Sequence, residues 1–289
     1  MVFLQKGKIR SYCHLMRLHQ PVGIFLLLWP TLWGLLLANE GRLEWKITLI
    51  FILGVVVTRS AGCVINDIAD RNFDGLVTRT KNRPLAKKEI SVIESASIAV
   101  ALIFAAALLV SQLNYLTLKI SVVALFFIAT YPYTKRFFSI PQVYLGITFS
   151  FGIPMAYAAS LNFVPFEAIL LMMANMFWVI AYDTEYAMID REDDKHLGIK
   201  TSALLFGKRD VFFVFLSHGV FLSILCFIGI LKEFRLTFFL LILVVLLTIF
   251  RQYFFIVGRK PEGCLKAFRQ NNLVGFIILL IIAFEQYVT

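Results

Sequence analysis

Residues 66–74 read NDIADRNFD and close a long apolar run: an amide, Asn66, with three carboxylates, Asp67, Asp70 and Asp74. A carboxylate at the centre of a bilayer costs about 3 kcal/mol even on lenient insertion scales. An apolar segment that ends in three of them therefore needs something for them to hold. Their spacing of three and four places them on one face of a continuing helix. Arg59 precedes Asn66 by two turns on that face, inside the apolar run.

A second cluster has related spacing. Residues 183–194 read DTEYAMIDREDD, and Asp183, Tyr186, Asp190 and Asp194 again share a helical face. Glu185, Glu192 and Asp193 fall between those positions and read as solvated loop charges. Carboxylates this close raise one another's pKa and repel, so each cluster calls for cations. Magnesium binds through one or two carboxylates, several waters and substrate phosphates rather than in an all-protein cage. Two acidic faces at one level suggest Mg²⁺ ions bridging to a diphosphate, whose departure they would ease.

Composition sets the surroundings. The 289 residues are 60% hydrophobic and 16% charged with a mean hydropathy of +0.81, against roughly 25% charged in soluble domains. A spanning helix needs about 20 apolar residues. Candidate spans lie near residues 22–38, 47–66, 91–110, 115–131, 141–160, 164–182, 211–231, 236–256 and 271–288, about nine helices in an all-α bundle. No polar linker divides them, so residues 1–289 read as a single transmembrane domain. The distance between the clusters suggests two pseudo-repeats of four helices plus a final helix. Cys13, Cys63, Cys226 and Cys264 are widely separated and form no metal or disulfide pattern.

The net charge of +10 is explained by the loops. With the N-terminus in the cytoplasm, 22 of the 28 Lys and Arg residues fall on the cytoplasmic side. No nucleic-acid partner is needed. The first 20 residues carry Lys6, Lys8, Arg10 and Arg17, with no small-residue cleavage site after the first apolar run. A retained N-terminus in a bacterial inner membrane is expected, with the acidic clusters facing the cytoplasm. Arg79 in the first long loop, and Lys135 and Arg136 after the fourth span, come to the same side and suit a diphosphate.

At these residues the sequence resembles the UbiA superfamily of intramembrane aromatic prenyltransferases. Its signatures NDxxDxxxD and DxxYxxxDxxxD are matched in full by Asn66, Asp67, Asp70 and Asp74 and by Asp183, Tyr186, Asp190 and Asp194. The stretches RLHQPVGIFLLLWPTLWGL, RSAGCVINDIADRNFD, RTKNRPLA, YPYTKRF and AYDTEYAMIDREDD are similar to the 4-hydroxybenzoate polyprenyltransferase branch.

The resemblance implies a cavity open to the cytoplasm and, sideways, to the lipid bilayer. It implies Mg²⁺ held by Asp67, Asp70, Asp74, Asp183, Asp190 and Asp194, and catalytic roles for Asp67, Asp70, Asp190, Asp194 and Tyr186. Asn66, Arg79, Lys135 and Arg136 would hold the diphosphate of a polyprenyl diphosphate. Arg59, with Arg17 second, would take the carboxylate of 4-hydroxybenzoate, which is prenylated ortho to its hydroxyl in ubiquinone biosynthesis. Another aromatic or quinone-precursor acceptor is the alternative within the class. A cation-coupled transporter is the alternative outside it, although its carboxylates would lie nearer the midplane.

Overall fold

Each long apolar run becomes a helix. The computed structural model describes residues 6–288; residues 1–5 and 289 of the expected 1–289 domain, including the start of the N-terminal segment expected to be retained, lie outside the described residues. The elements are α1 (Lys6–Leu15), α2 (Val22–Ala38), α3 (Trp45–Asp70), α4 (Val92–Val110), α5 (Tyr115–Thr134), α6 (Pro141–Ser150), α7 (Gly152–Leu161), α8 (Phe166–Ala187), α9 (Arg191–Leu197), α10 (Ser202–Phe206), α11 (Asp210–Leu231), α12 (Leu236–Ile256) and α13 (Pro261–Val288). No strand occurs among the described residues.

Eight segments are long and apolar enough to cross a membrane, α6 and α7 counting as one, and α2 is a shorter apolar helix of 17 residues. Seventeen residues rise about 26 Å, close to the roughly 30 Å hydrocarbon core. The chain is a multi-pass, all-helical membrane protein.

Local chemistry sets the helix ends. Ser91 and Glu94 close a reciprocal capping box on α4, and Asn114 caps α5 through Thr117. Pro154 removes a backbone donor and crowds the preceding turn, which separates α6 from α7 at Phe151. Trp45, Tyr115 and Tyr287, at helix ends, expose their rings, as interfacial aromatics do.

Two helix boundaries differ from expectation and shape the site. α3 runs past residue 66 to Asp70 but stops short of Asp74. Asp74 returns through its N–H to the Asp70 carbonyl at 2.9 Å, within a run of turns over residues 71–90. α8 ends at Ala187, and Asp190 occupies the N-cap of α9. Neither acidic cluster therefore lies on one continuous helical face; each bends around a break.

α2 and α8 run through the middle of the bundle, packed on α7, α11 and α13. The rings of Trp33, Trp178 and Phe221 fill the centre, with Trp178 and Phe221 stacked at 5.7 Å. Beside them lies a polar group that the sequence reading misassigned. Glu185 is not a solvated loop charge: it is on α8 and fully buried, accepting from Asn271 Nδ2 at 2.9 Å. The Asn271 carbonyl oxygen accepts from Trp178 Nε1 at 2.9 Å and faces His218 Nε2 at 3.3 Å.

Asn271 thus joins α8, α11 and α13 through one amide. Asn271→Leu orphans Glu185, Trp178 and His218 in a dry interior, at about 1–3 kcal/mol for each unpaired group. The detergent-solubilised variant is expected to melt lower by of the order of 10 °C. An unchanged thermal transition would remove this role.

Candidate active site

A cavity of about 1210 Å³ runs from the loops at one end of the bundle down between α2, α3, α5 and α6. Its apolar wall includes Ile103, Ala107, Leu125 and Ile128 of α4 and α5. Outward-facing residues of these two helices, such as Val100, Phe104 and Phe126, are more than half exposed. Both acidic clusters line the mouth of the cavity.

The mouth is a network of charges. Asp67, almost fully buried, accepts from Arg17 Nη2 at 2.7 and 3.0 Å and from Arg83 Nη1 at 3.1 Å. Arg83 also reaches both oxygens of Asp74 at 2.8 Å. Lys135 Nζ donates to Asp70 Oδ2 at 2.9 Å, beside Asn66 Nδ2 at 3.1 Å. Across the mouth, Arg79 Nε donates to both Asp190 oxygens at 3.0 Å, while its Nη1 donates to the Tyr186 hydroxyl and its Cζ lies over the Tyr186 ring. Asp193, expected to be a free loop charge, accepts from the Thr78 backbone N–H at 2.9 Å. Residues 71–90 thereby bridge one acidic cluster to the other.

Backbone geometry aims Arg17. The Leu18 N–H bonds the Cys13 carbonyl and the Arg17 N–H bonds the His14 carbonyl, a Schellman closure of α1. Its left-handed position is Arg17, at φ 59°, where glycine is the usual residue. A non-glycine residue there costs about 1 kcal/mol or more, and the ion pair with Asp67 holds it. Arg17 is thus placed at the acidic mouth and not beside Arg59. Arg136 is exposed, stacks on Tyr133 and Phe73, and donates to the Ala69 carbonyl at 3.2 Å, bracing the loop.

Electrostatics separate the carboxylates. The Asp194 carboxylate is buried and makes no hydrogen bond or ion pair among the described residues; burial, then Asp190, push its pKa up to about 7. Burial likewise raises Asp74, against the pull of Arg83. Arg79 and Arg83 are raised despite burial, by Tyr186 and Asp190 for the first and by Asp67 and Asp74 for the second. Burial outweighs the more distant pull of Lys135 and Arg79 and leaves Asp194 without a bonded cation among the described residues. The donors are all oxygen, which suits magnesium. Among the described residues no three Asp, Glu, His or Cys side chains converge as a ready cage.

Deeper in the cavity, Arg59 is the contrasting cation. Its Nη1 lies 3.0 Å from Cys63 Sγ, its Cζ is 5.4 Å from the Phe149 ring centre, and its buried Nε has no partner. It forms no salt bridge with a described residue, unlike Arg17, Arg79, Arg83 and Lys135 at the mouth. Tyr131, Phe149, Tyr182, Tyr186 and Phe268 line the space between. Arg83, Tyr131, Phe149 and Phe268 are not among the site residues expected from the sequence. Nothing local to an aromatic in an apolar helix distinguishes a cavity wall from a lipid face.

The sequence profile of the UbiA prenyltransferase family matches residues 27–280. The chain belongs to this family. Relatives include the 4-hydroxybenzoate octaprenyltransferase of Nitrosospira multiformis, 54% identical over 94% of this chain and 93% of that one. The protein of that name from Methylobacillus flagellatus is 48% identical over 98% and 95%. Among solved structures, a UbiA homolog from Aeropyrum pernix K1 aligns with a TM-score of 0.77 at 24% identity, over 89% of this chain and 96% of that one. A UbiA homolog from Archaeoglobus fulgidus bound to GPP and Mg²⁺ aligns with a TM-score of 0.72 at 20% identity, over 96% and 100%. These structural likenesses carry the UbiA fold.

Proposed function

We propose that the protein transfers a polyprenyl group from polyprenyl diphosphate to the ring carbon ortho to the hydroxyl of 4-hydroxybenzoate, releasing diphosphate in a step of ubiquinone biosynthesis. The observation that carries this reading is the division of cations within one cavity. Four basic side chains are tied to acidic partners at the mouth, while Arg59 stands two turns below without one. Seven residues of helix rise about 10.5 Å, room for one aromatic ring between a carboxylate on Arg59 and a diphosphate beside Asn66.

Each residue then has a task. Arg79, Lys135 and Arg83 turn positive charge toward the diphosphate oxygens, with Arg17 close by, and Arg136 braces the loop that carries Arg79 and Arg83. Asp67, Asp70, Asp74, Asp183, Asp190 and Asp194 supply the oxygens that would hold Mg²⁺, and Asn66 orients Asp70. When bound, the metal supplies positive charge that stabilises the departing diphosphate. The allylic C–O bond breaks with its electron pair on diphosphate, and the ring carbon attacks the allylic cation. Loss of the ring proton to water or a nearby carboxylate restores aromaticity. Tyr186, Tyr131, Tyr182 and Phe149 offer ring faces to the cation and restrict water. Arg59 fixes the carboxylate so that the ortho carbon faces the donor.

Orientation follows from the loops. α1, residues 71–90, Lys135 with Arg136, and α9 interlock at one end of the bundle, through Ser11 to Glu89, Thr78 to Asp193 and the Lys200 N–H to the Lys135 carbonyl. That end carries the excess of Lys and Arg, so we place it and the N-terminus in the cytoplasm and the bundle in the bacterial inner membrane.

Purified protein with Mg²⁺, an isoprenyl diphosphate and labelled 4-hydroxybenzoate is expected to form the prenylated acid. EDTA should stop turnover and excess Mg²⁺ restore it. Product with another aromatic acid only, or full activity in EDTA, would overturn the acceptor or the metal assignment respectively.

A further inference from the structure

The seat of Arg59 has one wall made of backbone. Gly23 lies in the first turn of α2, on helical backbone without a positive φ. A Cβ built there would stand 2.7 Å from Arg59 Nε, 2.7 Å from Nη2 and 3.1 Å from Cζ. Those distances lie well inside van der Waals contact, so the guanidinium rests on the bare α-carbon of residue 23. The other contacts are Cys63 Sγ and the Phe149 ring. With no carboxylate of the described residues within ion-pairing distance, Arg59 is positioned by shape.

That changes what a methyl group at residue 23 would do. The clashing atoms are the far end of a flexible side chain that borders a cavity, so the fold need not give way; the guanidinium swings aside. Alanine is also a better helix former than glycine at an ordinary helical φ. Resting on the reading that Arg59 takes the acceptor carboxylate, we propose that Gly23 is a specificity-determining position. By lacking a side chain, it sets where the Arg59 guanidinium stands and therefore which aromatic acids reach the donor. Displacing a positioning cation by about 1 Å can cost up to a hundredfold.

Gly23→Ala, Arg59→Ala and the double variant separate this from a packing role. Gly23→Ala is expected to melt at or above the wild-type temperature and to raise KM for 4-hydroxybenzoate roughly tenfold, with KM for the isoprenyl diphosphate unchanged. In the Arg59→Ala background the same substitution should add nothing, because the group it displaces is gone. A lowered melting temperature with both KM values raised, an equal penalty in the Arg59→Ala background, or unchanged kinetics each overturns the proposal. Should Arg59→Ala itself leave KM for 4-hydroxybenzoate unchanged, the underlying reading of Arg59 fails. If that variant raises KM while Gly23→Ala does not, the Gly23 proposal alone fails.

Discussion

Asp67→Asn and Asp190→Asn are each expected to lower turnover about a thousandfold or more while the protein stays folded. The two carboxylates come from opposite clusters, and each is already gripped by a cation: Asp67 by Arg17 and Arg83, Asp190 by Arg79. The amide keeps the shape and can still accept a hydrogen bond, so the arginine side chains retain a partner. What it removes is the negative charge that would hold Mg²⁺ against the diphosphate. Charge stabilisation of a leaving group is worth most where water is excluded, and Asp67 is only 1% exposed. Single-turnover rates, with the thermal transition as control for folding, make the comparison. If either variant kept more than about a tenth of the wild-type rate, its carboxylate would be a structural partner of arginine and not part of the clamp.

The same two residues show how far the sequence could be read. Apolar runs of span length revealed nearly all the helices long enough to cross, because membrane insertion is decided by local composition. The pairing of the clusters was also legible, since a spacing of three and four has meaning on any helix. The breaks after Asp70 and Ala187 were not. They depend on residues 71–90 folding back so that Arg83 meets Asp74 and Arg79 meets Asp190, and no local signal specifies contacts across so many residues.

Glu185 failed for a related reason. Ending the sixth span near 182 left it in a loop, yet α8 continues to Ala187. Two residues past Asp183 it is turned by about 200° around the helix axis. The acidic cavity lies on one side of α8 and Asn271 on the other. Arg17 shows the limit for long side chains: sequence placed it near the site, but the left-handed backbone at that residue decides that it faces Asp67.

Arg59→Ala is expected to raise KM for 4-hydroxybenzoate about a hundredfold and leave KM for the isoprenyl diphosphate within about twofold. A guanidinium lining a cavity with its Nε unpaired has been desolvated with no carboxylate of the described residues at ion-pairing distance; Asp183 of the same cavity acts on it only from farther off. Such a group is costly to maintain, and an arriving carboxylate would relieve the cost while forming charge-assisted hydrogen bonds. The cations at the mouth differ from Arg59, because Arg17, Arg79, Arg83 and Lys135 face Asp67, Asp190, Asp74 and Asp70 and stand where the diphosphate and its metal are proposed to bind. A neutral acceptor supplies the complementary measurement: wild-type protein should prefer 4-hydroxybenzoate to 4-hydroxybenzamide by a wide margin, and Arg59→Ala should erase most of that margin. If the variant instead weakened diphosphate binding and kept its preference for the acid, Arg59 would belong to the donor site. The acceptor carboxylate would then have to be sought among the cations at the mouth.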